Sequence, residues 1–185
     1  MNGKVPKLSR SVLVLFAHPA YHRSRANRAM AEAVRDVEGV TFRDLYEDYP
    51  DMLIDVRHEQ GLLLTHDAIV LQHPFYWYSA PALIKEWMDL VLVHGWAYGD
   101  TGHAVDGKVW MHALPAGGGQ DSYGAEGYNR FTIDDFLRPF EATAALCRMH
   151  WRPPFVVHAS HMRNAATLEE AARNYRAHVL ALLRE

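Results

Sequence analysis

Short runs of apolar residues alternate along the chain with longer segments in which apolar residues recur every three or four positions. The apolar runs lie at 12–16, 40–45, 68–72, 108–114 and 155–159. An unbroken run such as Val-Leu-Val-Leu-Phe at 12–16 is typical of a strand that is buried on both faces of a sheet. Strands that alternate with helices imply right-handed βαβ crossovers, so the pattern predicts an α/β fold. We expect a doubly wound sheet of five parallel strands with helices on both faces.

Two of the predicted helices carry capping signals. Thr132 begins one of them, and Asp135 is spaced to complete a capping box with it. Pro139 is expected to bend or restart that helix, because proline lacks the N–H that a helix interior needs. In the last helix, Thr167 and Glu170 have the spacing of a second capping box.

Composition restricts the class of protein. The chain has 185 residues, of which 49% are apolar and 22% are charged, which is the balance of a globular domain. We expect a loose tail over residues 1–10 and a single domain over residues 11–185. The net charge of −3 disfavours a nucleic-acid binder, and the one cysteine, Cys147, excludes an intrachain disulfide framework. No stretch reaches the roughly 20 apolar residues of a membrane span, which indicates a soluble cytoplasmic protein.

The loop between the first strand and the first helix carries groups that suit an anion. In doubly wound sheets, ligands bind beyond the carboxyl ends of the strands. Residues 17–27 contain two His, two Arg, a Ser and an Asn at a helix N-terminus, where free N–H groups favour negative charge. The alternative is a solvated loop in which Ser24 caps the helix. The segment matches neither a P-loop nor Gly-x-Gly-x-x-Gly, which argues against those routes to nucleotide binding.

The loops after the third and fourth strands favour a flat ligand. Residues 75–78 are all aromatic, and side chains of an extended segment alternate in direction, so some must face a cleft, a ligand or another chain. Three glycines at 117–119 allow close approach of the backbone to a ligand. The alternatives are an aromatic surface used for dimerisation and a flexible loop. Phosphate contacts, stacking and exposed N–H groups together fit a mononucleotide with an aromatic ring, and FMN is the leading candidate.

A metal site is not expected from the histidines. His18 and His22 are four residues apart, but Pro19 keeps them off one helix face. His158 and His161 are close in sequence, but they lack Asp, Glu or Cys partners nearby. A zinc site needs three or four convergent ligands, so none is predicted.

Six motifs spread over the chain are together characteristic of one family. They read FAHP at 16–19, SRAN at 24–27, QHPFYWYSAP at 72–81, HGWAYG at 94–99, GGG at 117–119 and GYNRF at 127–131. In these motifs the chain resembles the flavodoxin-like NAD(P)H:quinone oxidoreductases, above all the bacterial general-stress quinone reductases and the ancillary subunits of glutathione-gated potassium efflux systems. The resemblance implies a flavodoxin-like, doubly wound, five-stranded parallel sheet.

The resemblance also implies which residues bind FMN, with FAD as the alternative flavin. Those that match the phosphate and ribityl contacts are His18, Ser24, Arg25, Ala26 and Asn27. Those that match the segment along the isoalloxazine ring are Phe75, Tyr76, Trp77 and Tyr78, and those near its pyrimidine edge are Pro115, Ala116, Gly117 and Gly118. Tyr123 matches a tyrosine that assists hydride transfer together with a histidine six residues later, but that position is Asn129 here. The relay is therefore not carried over whole, and Tyr123 is the one candidate catalytic residue.

The activity implied by the resemblance is two-electron reduction of a quinone. NADH or NADPH would deliver hydride to the flavin, leave, and be replaced by a quinone or a similar small acceptor, which gives ping-pong kinetics. A homodimer with the site at its interface is expected from the family and from the excess of aromatic residues. The alternative is an FMN-binding regulatory subunit that docks on a membrane potassium efflux channel, at the inner face of the membrane. A one-electron flavodoxin is disfavoured because such carriers tend to be strongly acidic, whereas this chain carries only −3.

Overall fold

Six parallel strands form one sheet in the described part of the chain, residues 10–185 of a computed structural model. The strands are β1 (Val12–Phe16), β2 (Val40–Asp44), β3 (Ala68–Gln72), β4 (Val109–Pro115), β5 (His150–Trp151) and β6 (Phe155–Val157). The helices are α1 (Ala26–Val34), α2 (Leu45–Asp48), α3 (Val56–Thr65), α4 (Ala82–Val91), α5 (Ile133–Leu146) and α6 (Ala165–Leu182). The strand order β2-β1-β3-β4-β5, with β6 also paired with β4, confirms the predicted flavodoxin-like fold.

The sheet separates two hydrophobic cores. On one face, strand residues such as Leu13 and Leu71 pack with residues of α3, α4 and α5. On the other face, Val12 and Val14 pack with residues of α1 and α6. Strands β1, β3 and β4 are buried along their whole length, whereas β2 is half-buried because it lies at the edge. Helices on both faces therefore explain why the central strands are unbroken apolar runs.

The register of the central strands brings their carboxyl ends to one edge of the sheet. Phe16 of β1 pairs with Gln72 of β3, and Gln72 pairs with Ala113 of β4. The chain passes from β1 to β2 on one side and later to β3 on the other. A reversal of this kind opens a crevice between the loops that follow β1 and β3. The three loops singled out in the sequence therefore leave the sheet side by side.

The fifth position in the sheet is filled by two short strands instead of one. β5 pairs with the beginning of β4, and β6 pairs with its end. Pro153 and Pro154 lie between them, and proline has no N–H to donate to a strand ladder. The prediction of one strand over 155–159 is therefore wrong at its end, because the strand stops at Val157, and it omitted β5.

Local capping fixes where the helices begin. The N–H of Asp135 donates to the Thr132 hydroxyl and the Asp135 carboxylate accepts from the Thr132 N–H, both at 3.0 Å, so this predicted capping box is confirmed. The second predicted box is wrong. Asn164 caps α6 by accepting a hydrogen bond from the N–H of Thr167 at 3.0 Å, so Thr167 lies inside the helix. Asn164 has the same capping chemistry three residues earlier.

Three further element predictions differ from the structure, and the first is the fourth strand, which runs over Val109–Pro115 and not over 108–114. Pro139 does not restart α5, which continues through it. The flanking Leu137 and Phe140 are buried in the core, and this packing offsets the hydrogen bond that proline cannot make. The second strand ends at Asp44 instead of residue 45, because the Asp44 side chain accepts from the first N–H groups of α2 and begins that helix.

Residues 1–9 lie outside the described part of the chain, and with them most of the predicted loose tail. Arg10 is described, and its N–H donates to the carbonyl oxygen of Leu183 at 3.3 Å. The N–H of Ser11 donates to the Asp67 carboxylate at 2.8 Å. The folded part of the chain therefore includes Arg10.

Candidate functional site

A cleft opens at the carboxyl ends of β1, β3 and β4. Its first half, which we call the polar half, has a volume of ≈ 370 Å³ and is lined by His18, Ala20, Arg23, Ser24, Arg25, Ala26, Asn27, Pro74, Phe75, Tyr76, Pro115, Gly117, Ser160 and His161. Its second half, which we call the aromatic half, has ≈ 350 Å³ and is lined by Phe75, Trp77, Tyr78, Gly117, Gly118, Ser122, Tyr123, Tyr128 and Asn129. Phe75 and Gly117 line both halves, so the two halves adjoin at these residues.

His18 brings a neutral hydrogen-bond donor to the polar half. Its imidazole is buried, and the backbone N–H of Ala20 donates to its Nδ1 at 3.0 Å. Burial lowers the pKa of His18, so the ring is neutral at pH 7. Because Nδ1 accepts, the proton of the neutral ring is on Nε2. An N–H donor of this kind can bind a phosphate oxygen.

The first turn of α1 supplies further donors to the same half. The Ser24 hydroxyl accepts from the N–H of Asn27 at 3.2 Å, so Ser24 caps this turn, and its own hydrogen remains free to donate. The first turn of a helix leaves N–H groups without partners inside the helix, and the helix dipole favours an anion there. Arg23 and Arg25 are exposed and line the same half. Capping by Ser24 and anion binding are therefore compatible.

Two buried amide oxygens in or behind the first turn of α1 lack partners within the described residues, and only that of Asn27 belongs to a residue that lines the polar half. Asn27 lines the cleft with an exposure of only 1%, and its Oδ1 is unpaired. Gln72 is completely buried and donates from Nε2 to the backbone oxygen of Asn27 at 3.0 Å, but its Oε1 is unpaired. An unpaired buried polar atom costs about 1–3 kcal/mol. The Oδ1 of Asn27, which lines the cleft, therefore favours a bound molecule with hydroxyl or N–H donors.

The aromatic residues after β3 form a strained two-residue turn. Tyr76 and Ser79 exchange two backbone hydrogen bonds of 3.2 and 2.9 Å, and between them Trp77 and Tyr78 have φ angles of 47° and 63°. Turns of this type normally use Asn or Gly, because a side chain disfavours left-handed backbone. The Tyr78 ring stacks on Phe136 with centroids 4.8 Å apart. The turn thus places aromatic rings along the second half of the cleft.

A buried chain of hydrogen bonds supports the same loop. The indole Nε1 of Trp110, which can only donate, donates to Nε2 of His112 at 3.2 Å. Nδ1 of His112 therefore carries the proton and donates to Nε2 of His73 at 2.8 Å. Nδ1 of His73 in turn donates to the carbonyl oxygen of Pro74 at 3.0 Å. Burial lowers the pKa of His73 to about 4 and that of His112 well below the usual 6.5, so both rings are neutral at pH 7.

The segment after β4 brings backbone to the cleft, but not at every predicted residue. A Cβ at Gly117 would lie 3.2 Å from the His161 ring, so the close approach there favours glycine. Ala116 is completely buried, and its N–H donates to the carbonyl oxygen of Val157 at 3.0 Å. It lines neither half of the cleft, because the chain at this point still pairs with the end of β6. The contact of Ala116 with a cofactor therefore stays a prediction, and the structure places this residue in the sheet behind the lining of the cleft.

Tyr123 lines the aromatic half without the partner that the family pattern supplies. Its ring lies against Phe75 and His158, with centroids 6.1 and 5.7 Å away. Burial raises the pKa of Tyr123, so its hydroxyl stays protonated at neutral pH and can donate. Asn129, which stands at the family histidine's position, accepts instead from the Tyr78 hydroxyl at 3.3 Å. The neighbouring imidazole is thus His158, from the loop after β6.

The sequence-predicted residues and the cleft agree closely. Every residue predicted to bind the cofactor, except Ala116, lines one of the two halves. The lining also includes residues that the sequence reasoning did not assign to the cofactor, which are Ala20, Arg23, Pro74, Ser160 and His161 in the polar half and Ser122, Tyr128 and Asn129 in the aromatic half. Ser160 and His161 follow β6, which pairs with the end of β4, so strand order was the signal that could have found them.

Comparisons with known proteins extend over most of the chain. A family model for the flavodoxin-like fold, Flavodoxin_2, matches residues 10–179. The chain is 48% identical over 164 residues to the glutathione-regulated potassium-efflux system ancillary protein KefG of Pectobacterium atrosepticum, an alignment that covers 89% of this chain and 90% of the relative. KefG of Yersinia pseudotuberculosis has the same identity and coverage.

Three solved structures share the fold with substantial sequence identity. A chain from Streptomycin violaceusniger described as a thermophilic tryptophan halogenase has a TM-score of 0.89 and 46% identity, covering 91% of this chain and 98% of that chain. General stress protein 14 of Treponema denticola, in complex with FMN, has a TM-score of 0.88 and 40% identity, covering 93% and 99%. The NADPH-quinone reductase of P. pentosaceus has a TM-score of 0.83 and 32% identity, covering 91% and 96%.

Residues 10–185 contain neither a membrane-spanning helix nor a cluster of metal-ligating side chains. None of the helices in this range has the length and apolar character to cross a membrane. Nor do three or more His, Cys, Asp or Glu side chains of this range gather as a metal ion would require.

The strand order, the family match over residues 10–179 and the 48% identity to KefG establish that the chain belongs to the flavodoxin-like family.

Proposed function

We propose that this protein is an FMN-dependent NAD(P)H:quinone oxidoreductase. The observation that carries the proposal is the pair of adjoining hollows, a polar half at the N-terminus of α1 and an aromatic half beyond it. A molecule with a phosphate at one end and a flat ring system at the other matches that arrangement. The FMN complex of general stress protein 14, which is 40% identical to this chain, supports the same assignment.

The residues of the cleft fit FMN. In the polar half, His18 and Ser24 would donate to the phosphate. Asn27 would accept from a ribityl hydroxyl, which would pair an oxygen that is otherwise buried without a partner. Phe75 and Gly117 line both halves and would contact the ring system. When bound, FMN would supply the redox chemistry, taking hydride from a nicotinamide and passing two electrons to an acceptor.

The chain itself would contribute positioning, exclusion of water and one held proton. With cofactor and substrate bound, the aromatic side chains around the second half of the cleft would exclude water from the reacting groups. The neutral hydroxyl of Tyr123 can donate a hydrogen bond to a group on which negative charge develops. The hydrogen bond from His73 to the Pro74 carbonyl oxygen holds the backbone that carries Phe75.

Donor and acceptor are expected to bind in turn. The aromatic half, at ≈ 350 Å³, is a single hollow, so the oxidised nicotinamide would leave before the quinone enters. The NADPH-quinone reductase of P. pentosaceus supports a nicotinamide donor and a quinone acceptor. A twofold homodimer is also part of the proposal, because Tyr76 and Phe131 are exposed near the cleft and isologous dimers are the commonest oligomers.

A regulatory role beside a potassium efflux system is the second candidate function. The 48% identity to KefG, whose name describes an ancillary protein of such a system, favours it. In this role the protein would bind FMN and dock at the inner face of the membrane, and both functions could coexist in one protein. Turnover without a channel would favour the enzyme. Channel activation that survives the loss of turnover would favour the regulator.

Steady-state oxidation of NADH and NADPH with menadione as acceptor tests the proposed enzyme. The FMN-reconstituted protein should turn over much faster than free FMN at the same concentration. A double variant, His18→Ala with Ser24→Ala, should lose FMN and activity together, because it removes the two side-chain hydrogen-bond donors proposed for the phosphate. Leu64→Ala is the matched control, since this exposed side chain lies on α3 and lines neither half of the cleft. Protein that retains FMN but turns over with neither donor would contradict the proposal.

A further inference from the structure

The central strand β3 ends in a polar side chain at the edge of the sheet where the cleft opens. Residues 68–71 are Ala-Ile-Val-Leu, all of them completely buried, and Gln72 follows them with no exposure of its own. The backbone of Gln72 pairs with Phe16 of β1 and with Ala113 of β4, and its carbonyl oxygen accepts from the N–H of Ala17 at 2.9 Å. Gln72 is therefore fixed in the middle of the sheet, at its carboxyl edge.

The side-chain amide of Gln72 is only half used within residues 10–185. Its Nε2 donates to the backbone oxygen of Asn27 at 3.0 Å, whereas its Oε1 has no partner. The partner determines this orientation, because a carbonyl oxygen can only accept and the amide must turn its NH₂ group toward it. A buried oxygen without a partner destabilises the fold, and an apolar side chain of similar length would have no such effect. The presence of a glutamine here therefore needs an explanation other than stability.

The hydrogen bond from Gln72 supports the turn in which the proposed phosphate contacts lie. Asn27 is the second residue of α1, and its N–H donates to the Ser24 hydroxyl at 3.2 Å. The backbone of Asn27 is thus held on both sides, by Ser24 at the N–H and by Gln72 at the carbonyl oxygen. Arg25, at the N-cap position, adds no side-chain hydrogen bond to this turn. The contact with the sheet therefore fixes where the Ser24 hydroxyl and the Asn27 side chain lie in the polar half.

We propose that Gln72 is a positioning residue for FMN, which holds the first turn of α1 in the conformation that binds the phosphate although it lowers the stability of the fold. The inference rests on the proposed function and adds to it a residue that lines neither half of the cleft. Gln72 would act only through Asn27 and Ser24. A core residue that serves packing alone stabilises the fold, so opposite effects on stability and on FMN binding distinguish the two roles.

A second unpaired oxygen, remote from the cleft, provides a matched control. Tyr175 of α6 is completely buried, and its hydroxyl has no partner among the residues that the structure describes. Its ring packs against Phe155 of β6 with centroids 5.4 Å apart, and Tyr175 lines neither half of the cleft. Tyr175→Phe therefore removes a buried unpaired oxygen without touching the proposed site.

Gln72→Met, compared with Tyr175→Phe, tests the proposal. Urea unfolding of the two apoprotein variants should give midpoints equal to or above that of the wild type, because each variant loses an unpaired buried oxygen. The dissociation constant of FMN, measured from the quenching of flavin fluorescence, should rise about three- to tenfold in Gln72→Met, the range expected for one lost hydrogen bond. It should stay within about twofold of the wild-type value in Tyr175→Phe.

Two further measurements locate the effect at the phosphate end of FMN. Lumiflavin has the same ring system without the ribityl chain and the phosphate, so its dissociation constant should be the same in the wild type and in Gln72→Met. The phosphorus NMR resonance of bound FMN should shift in Gln72→Met and keep its position in Tyr175→Phe.

The contrary outcomes are distinct. An unchanged FMN dissociation constant in Gln72→Met would overturn the proposal, even if the wild type reduces menadione as the proposed function requires. Equal weakening of FMN and lumiflavin would overturn it too, because the damage would then extend to the whole cleft. A Gln72→Met apoprotein that unfolds at lower urea concentration than the wild type would overturn the opposition between binding and stability. The expected binding changes in a protein that reduces no quinone would defeat the proposed enzyme and leave the role of Gln72 standing.

Discussion

Replacing the buried His73–His112 pair with apolar residues should remove much of the acid sensitivity of the fold. Both rings are neutral in the folded protein, and an added proton must break the bond between them or the bond to Trp110. The pKa of His73 is lowered from 6.5 to about 4 by burial, so the unfolded chain binds more protons than the folded chain at pH values between these limits. The stability that the neutral His73 contributes is therefore fully present above about pH 6.5 and is lost as the pH falls toward 4.

The size of this effect follows from the same two values. A pKa lowered from 6.5 to about 4 corresponds to roughly 3 kcal/mol of stability at neutral pH. For His73 alone, about 2 kcal/mol of that should be lost between pH 7 and pH 5. His112 acts in the same direction, because its pKa is also lowered by burial and by the neighbouring His73. The side chains of His73 and His112 are completely buried, so solvent screening does not reduce their effect on stability.

The loss of stability on acidification is measured by urea unfolding, followed by circular dichroism, at pH 7 and pH 5. The wild type is compared with the double variant His73→Phe with His112→Leu, at matched cofactor content. The variant leaves the Trp110 N–H without its acceptor, but that cost is the same at both pH values. We expect the wild type to lose at least about 2 kcal/mol more than the variant on acidification. Equal losses in the two proteins would refute the assignment of neutral, mutually bonded imidazoles.

Three further outcomes are expected. Glu59→Gln should destabilise the fold by about 3 kcal/mol, because the completely buried Glu59 carboxylate accepts from Tyr49, Trp87 and Arg43; a loss below about 1 kcal/mol in urea unfolding would show that the network is dispensable. Tyr123→Phe should slow reduction of bound FMN roughly tenfold in stopped-flow measurements, and an unchanged rate would limit the tyrosine to packing. Sedimentation at micromolar concentration should report about twice 21.1 kDa, whereas a fully active monomer would contradict the proposed dimer.

The fold was predictable because its core strands have no solvent-facing side. β1 and β3 are buried on both faces, and their sequences are correspondingly unbroken apolar runs. The wrong predictions concern segments that are only partly buried. β5 has only His150 and Trp151, neither of them buried, so two residues carried no strand signal. Asn164 caps α6, although Thr167 was predicted to do so. Capping preferences of single residues cannot decide between two polar residues three positions apart.

The candidate site was predictable as a set of loops, but not in its detail. Strand order places the three loops together, so most lining residues could be named from the sequence. The left-handed turn at Trp77 and Tyr78 has no glycine or asparagine to signal it. The bond between His73 and His112 joins residues 39 positions apart, and only the pairing of β3 with β4 brings them together.

Ala116 shows how a neighbouring strand changes the surroundings of a predicted site residue. The family resemblance implied a cofactor contact for it, and pairing with β6 extends the sheet one residue beyond the predicted end of β4. The backbone N–H of Ala116 is consequently used inside the sheet. Loop composition predicts that a segment can approach a ligand, but the neighbouring strand decides where the loop begins.

Anaerobic titration of the FMN-reconstituted protein tests the central claim most directly. The visible absorbance band of the bound flavin is followed while NADH or NADPH is added, and then while menadione is added. We expect one equivalent of donor to bleach the band and one equivalent of menadione to restore it, because the cleft would hold one FMN that passes two electrons. A protein that binds no FMN, or whose bound FMN keeps its oxidised spectrum with both donors, would contradict the account.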